Sequence, residues 1–418
     1  MSAKKGAIGL GAVAVLALTA GCGMLGIGGE EEQSDEDRLV EMLNESSRID
    51  GELMAAEFRI VQNCLEEQGF TVHEPWAMMA YEEPEQDSLT SYYPHEEFLL
   101  DAEEAAEWGF GQWSNSPDGM DDPASEDYWT SQEEKYAEED DSWEEPDSTE
   151  WDALSPEDQY AWYVAYQGEE YAVQSYGSAQ EYADMMAGEG EYAEEEIVEE
   201  EAVEGGEEGA IDVGDDEEWV EPKPGGCQLE MIQALYGEPE LIEETEEYDG
   251  ETETYTYWSY RPENPAWADE TMWEDIEAKY AEQMTDLQYE FTDCIAERGY
   301  EGWEFTEYNS LPIWEFFGAL YYQNAEEEER EMMIGDSDAE IPPIPEAAGT
   351  TYEEWKAYEI QTAVDFSECG EETGYADASE KAYEAVHVEA YAAIEEDVYA
   401  WQEQMNEAIS KAQELLDA

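Results

Sequence analysis

Cys64-Leu65-Glu66-Glu67-Gln68-Gly69-Phe70 is the stretch whose reading decides the fold. Upstream of it Met54, Phe58, Val61 and Leu65 recur at spacings of four, three and four, which lays one apolar stripe along a helix. Gly69 supplies the left-handed residue that ends such a helix, and Phe70 folds back onto its last turn. The cysteine sits where it can staple that helix end to a neighbour. The same form, C-x-x-E-x-G-aromatic, returns at Cys294-Ile295-Ala296-Glu297-Arg298-Gly299-Tyr300 and at Cys369-Gly370-Glu371-Glu372-Thr373-Gly374-Tyr375. None of the three cysteines has a His or Lys beside it to activate a thiol, so the structural reading prevails. The repeated ends predict a mainly α fold: a helical core with long aromatic and acidic loops, stapled by two disulfides and built as two related halves.

Working outward, the first helix spans Ser34 to Gln68, with a break expected at Asp50-Gly51. Residues 71–151 are Pro-punctuated, aromatic and acidic, and read as loops draped on the core, with a short helix at Glu96 to Trp108. Ser155-Pro156-Glu157-Asp158 opens a helix, with Ser155 as N-cap and Pro at its first position, and Gly168 stops it after Gln167. Glu189 to Gly225 is Gly- and Glu-rich and reads as a disordered acidic loop. Gly225-Gly226-Cys227 leads into a helix from Gln228 to Tyr236, stopped by Gly237. Tyr248 to Tyr260 reads as a strand pair. Thr271-Met272-Trp273-Glu274 has the form of a capping box, and Ile276, Tyr280, Met284, Leu287, Phe291 and Cys294 follow on one helical face. Thr351 to Cys369 is helical, with Glu354 completing a second box. Ser379 to Leu416 is one long terminal helix, with Val386, Ala390, Ile394, Val398, Trp401, Met405 and Ile409 along one side. The chain divides near Pro262, into 34–262 and 263–418.

Hydrophobic residues make up 42% of the 418, enough for a core despite 115 acidic against 14 basic residues and a formal charge of −101. Between Arg59 and Lys223 the only Lys or Arg is Lys135. Self-repulsion on this scale opposes compaction until counterions screen it. It also excludes nucleic acid and anionic headgroups as partners. Cations, basic proteins and cationic peptides remain permitted. An acid-rich, Lys-poor surface is how a protein stays hydrated in strong salt, which accounts for the charge without any ligand.

At the start of the chain, Lys4 and Lys5 precede an uncharged apolar run from Gly6 to Ala17, too short to span a bilayer, and then Thr19-Ala20-Gly21-Cys22. This arrangement resembles the lipobox of bacterial lipoproteins, with Thr19 where the strictest pattern has Leu. The resemblance implies a signal peptide over 1–21, lipidation of Cys22, and a cell-membrane location on the extracytoplasmic face. Residues 22–33 then form a lipidated, flexible tether. Losing Lys4 and Lys5 with the signal leaves 12 basic residues against 115 acidic, near −103. Of the five cysteines, Cys64, Cys227, Cys294 and Cys369 remain, an even number outside the cytoplasm. They allow three pairings; pairing within each half gives Cys64–Cys227 and Cys294–Cys369. The lipobox, the Cys64-to-Phe70 ending, Trp108-Gly109-Phe110-Gly111, Leu154-Ser155-Pro156-Glu157 and Gly225-Gly226-Cys227 together resemble a group of actinobacterial lipoproteins of uncharacterised function. That resemblance brings no catalytic residue to this chain.

Chemistry is sparse. There is no G-x-S-x-G, no P-loop, and no G-x-G-x-x-G between a strand and a helix. His73, His95 and His387 are isolated in sequence, and His387 reads as a packed or surface side chain. No cysteine pair has the close spacing of a zinc site, and no cofactor is expected. Asp336-Ser337-Asp338-Ala339-Glu340 begins like a calcium loop, but Ile341 stands at the sixth place and Ala347 at the twelfth, so an EF-hand is excluded. Acidic loops such as Asp118 to Asp122 offer weak calcium binding at most. Paired carboxylates with aromatic platforms are what a glycosidase uses, yet so acidic a chain carries such pairs by chance. The expectation is a lipid-anchored envelope protein with a non-catalytic binding or structural role and a surface adapted to high salt. The alternatives are a cation- or cationic-peptide-binding surface and a carboxylate-dependent glycan-binding protein or glycosidase.

Overall fold

The computed structural model describes residues 34–80, 83–137, 145–187, 221–248, 251–268, 270–306, 308–325 and 341–418. The stretches read from sequence as an export signal (1–21) and tether (22–33), residues 189–220 of the expected acidic loop, and Asp336–Glu340 lie outside the described residues. Among those described the protein is mainly helical, with one two-stranded sheet.

Helix α1 (Asp35–Glu67) begins with Asp35, Glu36 and Asp37, acids that suit the positive end of the helix dipole. It runs unbroken through Gly51, contrary to the expected interruption. Ile49 and Leu53 are fully buried against Trp401, Met405 and Ile409, and that packing carries the helix past a glycine that costs about 1 kcal/mol in isolation. The expected helix from Glu96 splits into a 3-10 turn at Pro94–Glu97 and α2 (Ala102–Trp108), because Asp101 caps α2 by accepting from Glu103 N at 2.9 Å and Glu104 N at 3.0 Å. A second 3-10 turn, Gln112–Asn115, precedes α3 (Pro123–Ala137). Helices α4 (Thr149–Asp152), α5 (Pro156–Gln167), α6 (Glu169–Tyr176) and α7 (Ala179–Met186) follow. Ser155 caps α5 as expected, its Oγ accepting from Asp158 N at 3.2 Å.

After α8 (Gly226–Leu235) the chain forms the hairpin β1 (Glu240–Tyr248) and β2 (Glu251–Ser259), in register from Glu240 opposite Ser259 to Tyr248 opposite Glu251. The strand pair expected within 248–260 is therefore only its second strand; the Glu-rich first strand carries too few apolar residues to announce itself. A short α9 (Pro265–Ala268) leads to α10 (Glu270–Glu297). Thr271 lies inside α10, not at its cap. α11 (Ile313–Tyr321) is followed by α12 (Tyr352–Thr373), opened by the Thr351–Glu354 capping box, and α13 (Tyr375–Leu416).

The three repeated endings do not all end helices. At Gly69 and Gly299, with φ of +103° and +105°, Phe70 N donates to Leu65 O at 3.1 Å and Tyr300 N to Ile295 O at 3.0 Å, the closure of a Schellman cap. At the third copy, Gly374 takes φ +66° and ψ +34°, and a new helix starts at once with the fully buried Tyr375. That copy is a corner between α12 and α13, and the terminal helix starts at Tyr375 instead of Ser379.

Helix α13 is 42 residues, ~63 Å long at 1.5 Å per residue. Its first part lies antiparallel to α10: Tyr375 meets Phe291, Ser379 meets Tyr280, and Glu389 pairs with Lys279. Its second part lies parallel to α1. There Gln402 Nε2 donates to Met42 O at 2.8 Å and to Ser46 Oγ at 2.9 Å, and Ala412 joins the cluster of Val61 and Leu65. Residues 35–418 form one compact unit. Its largest core gathers Leu39, Leu43 and Phe98 with Phe291, Phe316, Phe366 and Tyr375, on both sides of residue 262.

The disulfides are Cys64–Cys227 and Cys294–Cys369. The first joins the end of α1 to the start of α8, and the second joins α10 to α12. Glycines set the first: Gly225 N donates to Gln167 O at 2.7 Å, and a Cβ at Gly226 would lie 2.2 Å from Ala165 O. Only a chain without side chains there can cross the end of α5 and bring Cys227 to Cys64. The bonds span separations of 163 and 75 residues, so in the chain-entropy picture each contributes about 3–5 kcal/mol. Replacing Cys64 and Cys227 together by Ser is expected to lower the unfolding free energy extrapolated from urea titration by that amount, and an unchanged free energy would contradict the role assigned to the bond.

Candidate functional site

The turn after α2 is held from beneath by a buried acid. Glu359 on α12 is wholly buried. Its Oε1 accepts from Gln112 N at 2.8 Å, and its Oε2 accepts from Trp113 N at 3.0 Å and from Tyr321 OH at 2.6 Å. Burial raises its pKa to about 8, against the lowering effect of those donors and of nearby Lys356. One turn earlier on α12, Lys356 Nζ lies 3.2 Å from the centre of the Trp113 ring and 2.7 Å from Asp122 Oδ2. Asp122 also accepts from Tyr352 OH at 2.9 Å and Ala124 N at 2.9 Å, and the Lys356 bond leads in pulling its pKa down. Asp122 is thus committed to internal partners, which weakens the calcium reading of Asp118 to Asp122.

This network fixes one wall of a cleft of about 870 Å³. The other wall is the segment from Thr306 to Glu315. Five carboxylates line it, Glu96, Glu97, Asp101, Glu104 and Glu315, together with the rings of Phe110, Tyr128, Tyr308 and Trp314. Tyr308 and Trp314 are exposed, at 71% and 44%. Among the described residues Lys135 is the single cation in the lining, and its Nζ is 3.0 and 3.1 Å from the two oxygens of Glu104. Besides Glu104, Asp101, Glu96 and Glu97 also serve within the fold. Asp101 caps α2, Glu96 Oε2 accepts from Tyr93 N at 3.1 Å, and Glu97 Oε1 accepts from Tyr92 OH at 2.5 Å. Aromatic and acidic side chains far apart in sequence therefore converge on one concave surface. It suits a ligand with positive charge and a flat or apolar face.

The histidines are not isolated in space. His95 Nδ1 is 2.9 Å from Ser379 Oγ, which in turn is 2.7 Å from Tyr280 OH. Ser379 and Tyr280 are both fully buried, so this resembles a nucleophile and base only on paper; a substrate has no access. His387 is packed, as expected: its Nδ1 lies 2.8 Å from Tyr383 O, and the rings of Trp273 and Tyr383 surround it. His73 Nδ1 accepts from Trp162 Nε1 at 3.2 Å. Burial raises the carboxyl pKa at Glu57 and Glu359, and neither residue lines the cleft. Among the described residues no cluster of three or more His, Cys, Asp or Glu could hold a metal ion, and no helix is long and apolar enough to cross a membrane. The four disulfide cysteines lie away from the cleft, and Cys22 is outside the described residues. Comparison with protein families, with characterised proteins and with solved structures finds no match.

Glu359 gives the fold a signed pH dependence. With a folded pKa of about 8 against the ordinary 4.5, the native state keeps a proton that the unfolded chain has lost. This group's contribution is whole below 4.5 and falls as pH rises to about 8. Glu359→Gln removes the titration, so across that window its urea stability falls less steeply than that of the native protein, by up to about 1.4 kcal/mol per pH unit. Parallel slopes for the two proteins would contradict the assignment.

Proposed function

We propose that the chain is exported, carries lipid on Cys22, and acts on the outer face of the membrane as a non-catalytic binding protein of the cell envelope. Its ligands are then cationic, such as the amine-bearing side chains of a basic peptide or protein, and the cleft between Glu96–Lys135 and Thr306–Glu315 receives them. The observation that carries this reading is the convergence of five carboxylates and four rings around a single, already paired lysine. The lipobox-like start supports the anchoring, and two disulfides between residues distant in sequence fit an oxidising compartment. Binding is favoured over general-acid chemistry because the carboxyls with raised pKa, Glu57 and Glu359, lie outside the cleft. The rest of the acidic surface serves hydration in strong salt.

Titration calorimetry of the mature chain with oligolysine, at an ionic strength of about 0.15 M where exposed charges are screened beyond ~8 Å, tests this. Saturable binding is expected, weakened about fivefold or more by Trp314→Ala, whose ring is exposed and whose loss removes a cation–π partner. Binding indifferent to Trp314, or abolished by modest salt, would reduce the interaction to general charge attraction and overturn the proposal.

A further inference from the structure

A second, smaller cleft, of about 260 Å³, lies where the hairpin returns to the helices. Its lining includes Asp50, Arg261, Asn264, Trp267 and Trp401. Asn264 is 7% exposed, and its Oδ1 accepts from Ala266 N at 3.0 Å, which settles the orientation of the amide. Its Nδ2 is buried and has no hydrogen-bond partner. Asp50 Oδ1 lies 2.9 Å from Arg261 Nη2, an ion pair within the lining. Trp401 Nε1 donates to Pro262 O at 3.0 Å, which fixes that indole, and Trp267 is 44% exposed. The cleft thus combines an unmatched donor, an ion pair and two indoles.

We propose that this cleft is a subsite for one neutral sugar ring of a glycan. The lining argues by elimination. An anion meets Asp50 and Glu263 in a chain of charge −101, and a cation meets Arg261. An apolar ligand leaves Asn264 Nδ2 unsatisfied, which costs affinity. A ring bearing neighbouring hydroxyls answers that donor and tolerates the ion pair, since each hydroxyl donates and accepts, and its C–H face lies against an indole. The volume falls just under the ~300–1,000 Å³ of drug-sized pockets, which suits a single ring. The site shares no lining residue with the cationic-ligand cleft, so the two proposals stand or fall separately.

The test is calorimetry of the mature, disulfide-intact chain with three neutral tetrasaccharides, cellotetraose, chitotetraose and maltotetraose, and with anionic tetragalacturonate. At least one neutral sugar is expected to bind and tetragalacturonate is not. Trp267→Ala removes an exposed ring, and Asn264→Asp keeps the oxygen that caps α9 while removing the donor; each is expected to weaken that binding about tenfold. Trp314→Ala, in the larger cleft, is expected to leave it unchanged. Failure of all three neutral sugars to bind overturns the proposal. So does preferential binding of tetragalacturonate, or sugar binding that survives both Trp267→Ala and Asn264→Asp.

Discussion

The buried face of α13 is the constraint on which the rest of the fold depends. Tyr375, Tyr383, Val386, Val398, Trp401, Met405 and Ala412 are all buried, recurring at the spacing of one helical face. Along the first half of that face the partners are Phe291 and Tyr280 of α10; along the second half they are Met42, Ile49 and Leu53 of α1. Each large apolar side chain contributes about 1.5–3 kcal/mol when fully buried. Because α1 and α10 share one partner helix, the first and last elements of the chain are part of the same body. Cys64–Cys227 and Cys294–Cys369 then fix α8 to α1 and α12 to α10.

Around this body the acids are managed in two ways. Most remain in water, where salt screens them. The few that are buried have dedicated partners: Glu359 takes two backbone N–H groups and a tyrosine hydroxyl, and Glu57 accepts from Tyr236 OH and faces Arg261. The scarce cations are used where elements meet. Arg38 pairs with Glu395 between α1 and α13, Arg298 reaches Glu372 at 2.8 Å beside a disulfide, and Lys356 links α12 to the loop at Asp122. Their place at the junctions of elements gives them the role of fixing geometry.

Much of this was legible in order along the chain because helices write themselves locally. The apolar period from Ile276 to Cys294, the Ser155 and Thr351 caps and the Gly69 and Gly299 endings all appear where spacing places them. The mainly helical class and the two disulfides follow from the same motifs. What spacing cannot carry is contact between distant segments. His95 and Ser379 lie 284 residues apart, and Glu359 reaches back to Trp113 across 246. α3 was hidden because its sequence has no apolar stripe, and the first strand of the hairpin because the adjacent glutamates of β1 break the apolar–polar alternation of a half-buried strand. The same motif ending a helix at Gly69 and turning a corner at Gly374 shows that a cap specifies local conformation only; whether the chain then continues as helix depends on what Tyr375 can bury against. The acidic cleft had no sequence signal, since carboxylates are everywhere in this chain and only folding selects five of them.

Hydrogen–deuterium exchange of the protein, read peptide by peptide, tests most directly whether α13 holds the molecule together. The slowest amides are expected to run without interruption from Tyr375 to Ala412, opening together with those of α1 and α10 in one cooperative unit. Two blocks of different protection, with α13 divided between them and α1 opening independently of α10, would contradict it.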